Sequence, residues 1–241
     1  MCSQPNIAST AFLIADPARA NMLMALVAGR ALPAGELAYA AGVTAQTAST
    51  HLAKLLDGGL VTVEAEGRHR YYRLSGAHVA LVLENLAAIV PAREVRRRPL
   101  GREAQNLRFA RCCYDHLAGQ VGVAVTQALQ QRGFIVAAQD KRFDVTADGH
   151  EWFGHIGLDM ERLRATRRVG RGIARQCLDW TEREHHLAGP LGVQFMSALC
   201  ANGWMRRVNA SRVVQVTPVG WAGLKAELGI EGRLGALTQE A

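Results

Sequence analysis

The chain has 241 residues, 49% of them apolar and 20% charged, with 28 Lys/Arg against 21 Asp/Glu for a formal net charge of +7. This is enough for one large or two ordinary domains, and the composition excludes a disordered chain. No stretch approaches about 18 uninterrupted apolar residues, and no basic start leads into a long apolar run, which excludes a membrane span and a secretory signal. The five cysteines (Cys2, Cys112, Cys113, Cys177, Cys200) are an odd number in a signal-less chain. They point to reduced thiols in a cytoplasm rather than to a disulfide framework.

The charge is uneven. Residues 1–90 hold six Lys/Arg and six Asp/Glu, whereas residues 91–111 hold seven Arg and two Glu. Any attraction of the first ninety residues to an anionic partner must therefore come from where the charges sit, not from their total.

In chain order, residues 3–14 read as a short helix. Asp16, a helix cap with Pro17 at the first helical position, opens a helix to Val27. A short helix, Gly35–Ala41, is stopped by Gly42. Thr44 then caps a helix running to Leu56, with Leu52, Leu55 and Leu56 on one apolar face and Gly58-Gly59 as its stop. Two strand-like runs follow, Leu60–Glu64 and His69–Leu74, joined at Glu66-Gly67-Arg68. The stretch 76–90 is an apolar helix suited to a dimer core. A helix with a polar first turn followed by a hairpin with a basic tip is how a winged helix-turn-helix is built.

The polar residues of this segment carry its chemistry. Thr44, Gln46, Thr47, Ser49, Thr50, His51 and Lys54 crowd the outer side of the helix, and Arg68, His69 and Arg70 line the hairpin. Short hydroxyl and amide side chains suit base edges in a major groove, whereas Lys and Arg suit phosphate. All ten are candidate DNA contacts: Gln46, Thr47, Ser49 and Thr50 for bases, Lys54, Arg68 and Arg70 for the backbone or minor groove.

The segment from about Asp16 to Val90 resembles the ArsR/SmtB family of bacterial winged-helix regulators. The resemblance rests on Asp16-Pro17-Ala18-Arg19 with Met22–Leu26, on Gly35-Glu36-Leu37-Ala38, and on Thr47-Ala48-Ser49-Thr50-His51-Leu52. It continues in Gly59-Leu60-Val61, Gly67-Arg68 and Tyr71-Tyr72-Arg73-Leu74, in order and at matching spacing. It implies a DNA-binding homodimer, a repressor rather than an enzyme, with an operator as partner and the first and last helices of the domain at the dimer interface. The family's metal ligands do not carry over: its Cys-x-Cys helix is here Glu36–Ala40, without cysteine, and its last-helix ligands reduce to His78 and Glu84. A sensor therefore belongs to the second half, as in the long, C-terminally extended subgroup that the CYDHLAG and CLDW…HLAG segments resemble.

Residues 91–107, with two prolines and a run of arginines, read as a linker. Beyond it the chain repeats itself: His116-Leu-Ala-Gly119 recurs as His186-Leu-Ala-Gly189, Gly133-Phe134 as Gly203-Trp204, and Gly149 as Gly220. Two copies, about 112–172 and 176–236, are expected as a winged-helix-like C-terminal domain (108–241) with an effector site between two lobes. The fold class is thus mainly α with short β-hairpin wings (α+β).

Upstream of each HLAG lies a Cys-x-Asp: Cys113/Asp115 and Cys177/Asp179, six residues being inserted in the second copy. Cys113 and His116, three apart, are expected on one face of a helix. With Cys177 and His185 or His186 they form a candidate tetrahedral site for a thiophilic divalent metal or metalloid. An organic effector, an interface packed by these residues, a protein-interaction role and thiol redox sensing by Cys113 and Cys177, with Arg111 and Arg175 favouring the thiolates, are the alternatives.

Overall fold

A computed structural model describes residues 6–66, 69–90, 102–165 and 172–232, residue 69 by its backbone alone. It divides into two units, up to residue 87 and from residue 88. The protein is mainly α with short β-hairpins, and among the described residues no helix is long and apolar enough to cross a membrane.

The first unit runs α1 (Ile7–Ala15), α2 (Pro17–Leu26), β1 (Leu32–Pro33), α3 (Ala34–Ala41), α4 (Ala45–Asp57), β2 (Val61–Glu66), β3 (His69–Leu74) and α5 (Ala77–Ile89). Its core is Met22, Leu23, Leu26, Leu37, Leu52, Leu55, Val61 and Tyr72, all buried. Asp16 caps α2 by accepting from the Arg19 amide at 3.0 Å. That backbone bond is the chief reason its carboxyl lies below the usual carboxylate range. The Arg19 side chain is buried and donates to the carbonyls of Leu13 (2.6 Å) and Phe12 (2.8 Å). It thereby satisfies acceptors that the end of α1 leaves open. The two-residue strand β1, too short to leave a periodic signal, pairs with β3 as Leu32↔Tyr72 and Pro33↔Tyr71, making the hairpin the outer part of a three-stranded sheet ordered β1-β3-β2.

The second unit begins with α6 (Arg102–Phe109), so the stretch read as linker is helical from Arg102, and Leu107 is buried. Residues 91–101 lie outside the described residues. Then follow β4 (Arg111–Cys113), β5 (His116–Ala118), α7 (Gly119–Gln131), β6 (Ile135–Ala138), β7 (Arg142–Val145), α8 (Ala147–His155) and α9 (Met160–Ala165). The second copy is β8 (Ala174–Leu178), β9 (His185–Ala188), α10 (Gly189–Ala201), β10 (Met205–Arg207), β11 (Val214–Val216) and α11 (Pro218–Leu228). Each copy is therefore hairpin, helix, hairpin, helix.

The copies interlock instead of forming two separate lobes. The first hairpin of the second copy continues the second hairpin of the first copy in a sheet ordered β6-β7-β8-β9. The reciprocal contact, Arg111↔Val213, joins β4 to the edge of the β10–β11 hairpin. Equivalent backbone bonds hold both joints: Gln176 N donates to Lys141 O and Cys112 N to Arg212 O, each at 2.8 Å. Across the middle, β9 meets α7, where Leu187 N donates to the buried Thr126 Oγ1 at 2.8 Å, and β5 meets α10. The aliphatic faces of α7 (Val121, Val125, Leu129) and α10 (Leu191, Met196, Leu199) and the rings of Phe153 and Phe195 fill the shared core.

Candidate functional site

In the first unit α4 is held from both ends and from beneath. Thr44 Oγ1 accepts from Thr47 N at 3.2 Å, Gly58 caps the other end, and Ala48, Leu52 and Leu55 are fully buried. The opposite face is exposed. Gln46, Ser49, Thr50 and Ala53, at i, i+3, i+4 and i+7, form one strip along it, with Thr47 and Lys54 beside them.

The hydroxyls are already engaged, those of Ser49 and Thr50 as donors and those of Thr44 and Thr47 with each other. Ser49 Oγ donates to Ala45 O (3.0 Å), Thr50 Oγ1 to Gln46 O (3.4 Å), and the Thr44 and Thr47 hydroxyls meet at 2.9 Å. Each oxygen keeps acceptor capacity facing out, so these groups present acceptors pre-set in direction, while Gln46 offers both a donor and an acceptor.

His51 is placed differently from the expectation. Its side chain is only 16% exposed and its Nδ1 lies 3.7 Å from Asp16 Oδ1, turned towards the start of α2. One residue beyond the exposed strip, helical geometry swings it inward, so it is less exposed than the other candidates on this helix. On the hairpin, Arg70 is exposed, whereas Arg73 is paired with Glu64 at 2.9 Å. Arg68 and the His69 side chain lie outside the described residues.

In the second unit the four candidate ligands come together. One ligand atom from each of Cys113, His116, Cys177 and His186 lies within 4.8 Å of all the others, with Cys113, His116 and His186 buried and Cys177 half-buried. They arrive on strands, which corrects the expected helix. Cys113 and His116 are directly opposed in the β4–β5 hairpin, and Cys177 and His186 in β8–β9. The first hairpin closes through Tyr114, whose left-handed backbone (φ 59°) makes the two-residue turn. The six inserted residues of the second copy are taken up in the β8–β9 connection, so the cross-strand register survives. His185 instead pairs with Leu178, and the alternation of a strand turns it away from His186.

The two rings meet at the centre of the pseudo-symmetric unit, His116 Nε2 to His186 Nε2 at 3.1 Å. Behind each ring stands a carboxylate: Asp115 Oδ1 is 2.9 Å from His116 Nδ1, and Asp179 Oδ2 is 3.5 Å from His186 Nδ1. Burial disfavours the charged His116 ring, but the Cys113 sulfur and Asp115 outweigh it and raise the ring's affinity for a proton.

Asp179 is itself fully buried. It accepts from Gly119 N (2.7 Å), Thr181 N (2.9 Å) and Thr181 Oγ1 (2.7 Å), and it pairs with Arg111 at 2.9 Å. Burial pushes its carboxyl up, yet Arg111 and these donors prevail and hold it far below the usual carboxylate range. Arg111 also lies over the Trp180 ring, 5.2 Å from its centre. Arg111 is thus paired with Asp179, and burial pushes the neighbouring Cys112 thiol up. None of the four described cysteines is in a disulfide. The Arg111–Asp179 pair was missed in the sequence because its partners are 68 positions apart; the recurrence of Cys-x-Asp was the available signal.

A helix-turn-helix domain family matches residues 14–64. Over 227 residues the chain is 42% identical to the uncharacterized HTH-type transcriptional regulator YdfF of Bacillus subtilis (strain 168), covering 94% of this chain and 99% of that one. Over 79 residues, 33% of this chain and 66% of the relative, it is 40% identical to the HTH-type transcriptional regulator CmtR of Mycobacterium tuberculosis. Among solved structures, that of the cadmium metal-sensor CmtR from Mycobacterium tuberculosis aligns at 34% identity over 39% of this chain and 98% of its own, with a TM-score of 0.31.

Proposed function

Because the chain belongs to the ArsR/SmtB-type helix-turn-helix transcriptional regulators with a long C-terminal extension, we propose that it is a homodimeric repressor that reads its operator with α4 and the β2–β3 hairpin and is released by an effector held in the C-terminal repeats. The observation that carries the reading is the uncovered strip Gln46, Ser49, Thr50 and Ala53 on a helix otherwise fixed by its cap and core, next to an exposed hairpin bearing Arg70. A rigid helix with short polar groups facing out fits a major groove, and a neighbouring cation fits the phosphates that flank it.

Dimerisation is supported by apolar side chains that the unit leaves in water. Ile7 and Phe12 on α1 are 77% and 72% exposed, and Leu81, Val82 and Leu86 on α5 are exposed as well. Such a surface is costly unless a second copy covers it. A two-fold dimer would set the half-sites about one helical turn, ~34 Å, apart.

The test is a binding titration on the DNA upstream of its own gene and on point variants of the protected site. Gln46→Ala is expected to relax preference at one base position, at a cost of about 1–3 kcal/mol there, and to leave non-specific binding unchanged. An equal loss on every sequence would argue against base reading by Gln46.

A further inference from the structure

We propose that Cys113, His116, Cys177 and His186 bind one thiophilic divalent cation of the zinc class in a closed tetrahedral site, which clamps the two C-terminal repeats to each other. The site itself stands on geometry; only its regulatory consequence rests on the reading of this unit as the sensor.

The donor set comes first. Two sulfurs and two imidazole nitrogens make the set that selects tetrahedral zinc-like ions over hard cations, which prefer oxygen. The spacing follows. Metal–nitrogen bonds of about 2.0–2.1 Å place two nitrogens of a tetrahedron ~3.3 Å apart; the two Nε2 atoms stand at 3.1 Å, and all four donors lie within 4.8 Å. Two imidazoles facing through the same nitrogen are otherwise an awkward buried pair, since one must carry a proton and the other none.

The surroundings agree. Each ring turns Nε2 inward and Nδ1 towards a carboxylate, Asp115 in one copy and Asp179 in the other. The 2.9 Å hydrogen bond to Asp115 holds the His116 proton on Nδ1 and frees its Nε2 as ligand, while Asp179 stands 3.5 Å from His186 Nδ1 on the side away from the shared centre. Two thiolates also balance the charge of a dication, so the loaded site enters a buried position with no net charge to desolvate. Because each copy supplies one cysteine and one histidine from a single hairpin, the ion ties β4–β5 to β8–β9.

The experiment is a cobalt(II) titration of the full chain, purified reduced and stripped with a chelator, followed by absorption. Expected is one cobalt per chain, with intense tetrahedral ligand-field bands and a thiolate-to-metal charge-transfer band, both abolished by zinc. Cys177→Ser should lose the charge-transfer intensity contributed by one sulfur, whereas Cys200→Ser, distant in role, should not change the spectrum.

Asp115→Asn, at a partly exposed turn, keeps the fold measurable by circular dichroism and should weaken cobalt by about 10–100-fold with the bands retained. Octahedral bands, no uptake by folded wild-type protein, or an unchanged spectrum in folded Cys177→Ser would overturn the site. Operator binding is measured on the same samples. DNA binding without cobalt uptake removes the metal site alone; cobalt uptake without DNA binding removes the proposed function alone.

Discussion

Replacing Asp179 with alanine should destabilise the C-terminal unit by about 3–5 kcal/mol, the range found when one partner of a buried ion pair is removed. The loss is large because Asp179 does several things at once. It neutralises Arg111, which is itself completely buried, and it accepts from the amides of Gly119, Thr181 and Glu182 and from the Thr181 hydroxyl. Without it the buried guanidinium loses the carboxylate that faces it and the turn before β9 loses its anchor. Asp179→Asn should cost less than alanine, since the amide keeps an acceptor oxygen, but it still removes the negative charge that faces Arg111. Urea unfolding of the reduced protein measures both; a shift of the alanine variant below about 1 kcal/mol would show that Arg111 relaxes to water, and the buried-pair account would fall.

The second large effect is expected at two glycines that the repeat matches to each other. A Cβ added at Gly149 would lie 2.0 Å from Phe134 O, and one at Gly220 would lie 1.9 Å from Trp204 O. Both residues sit in the first turn of a helix, α8 and α11, whose capping threonine accepts from the glycine amide: Thr146 from Gly149 N at 3.0 Å and Thr217 from Gly220 N at 2.9 Å. The same hydroxyls donate backward to Gly133 O (2.7 Å) and Gly203 O (2.6 Å). The cap therefore draws the helix start against the turn that leads into the first strand of the preceding hairpin, β6 or β10, until only hydrogen fits. Since the obstacle is a backbone carbonyl, it cannot swing away as a side chain would. Gly220→Ala and Gly149→Ala should each cost about 3 kcal/mol, the upper end for overpacking, read as a lower urea midpoint at unchanged slope. Normal stability in either would mean that the cap and this turn part easily.

Much of the first unit could be read directly from residues, because its signals are local. Asp16-Pro17, Thr44 and the glycines after α3 and α4 mark helix ends by capping chemistry, and α4's exposed strip follows from periodicity alone. What escaped were the features that depend on distant partners or on a single residue's phase. The strand β1 is two residues long and exists only because β3 is there to pair with it. His51 falls one step around the helix from the strip and turns inward.

In the second unit the repeat disclosed which residues correspond, and hence which four to group. It did not disclose that Cys113 and His116 belong to strands, since a three-residue spacing suits a helical face and a two-residue hairpin equally. Nor could it choose between His185 and His186. Strand register makes that choice, and register is a tertiary property. The interlocking of the copies, each hairpin joined to the other copy's sheet, has no local signature at all.

The most direct test of the account is the salt dependence of operator binding by the full chain, wild type beside Lys54→Ala and Arg70→Ala. If α4 and the hairpin carry the contact, log affinity falls linearly with log salt, and each substitution weakens binding on specific and non-specific DNA alike while reducing the slope by about one. Unchanged slopes in both variants, or equal affinity of wild type for operator and unrelated DNA, would contradict it and move the DNA contact away from this helix and hairpin.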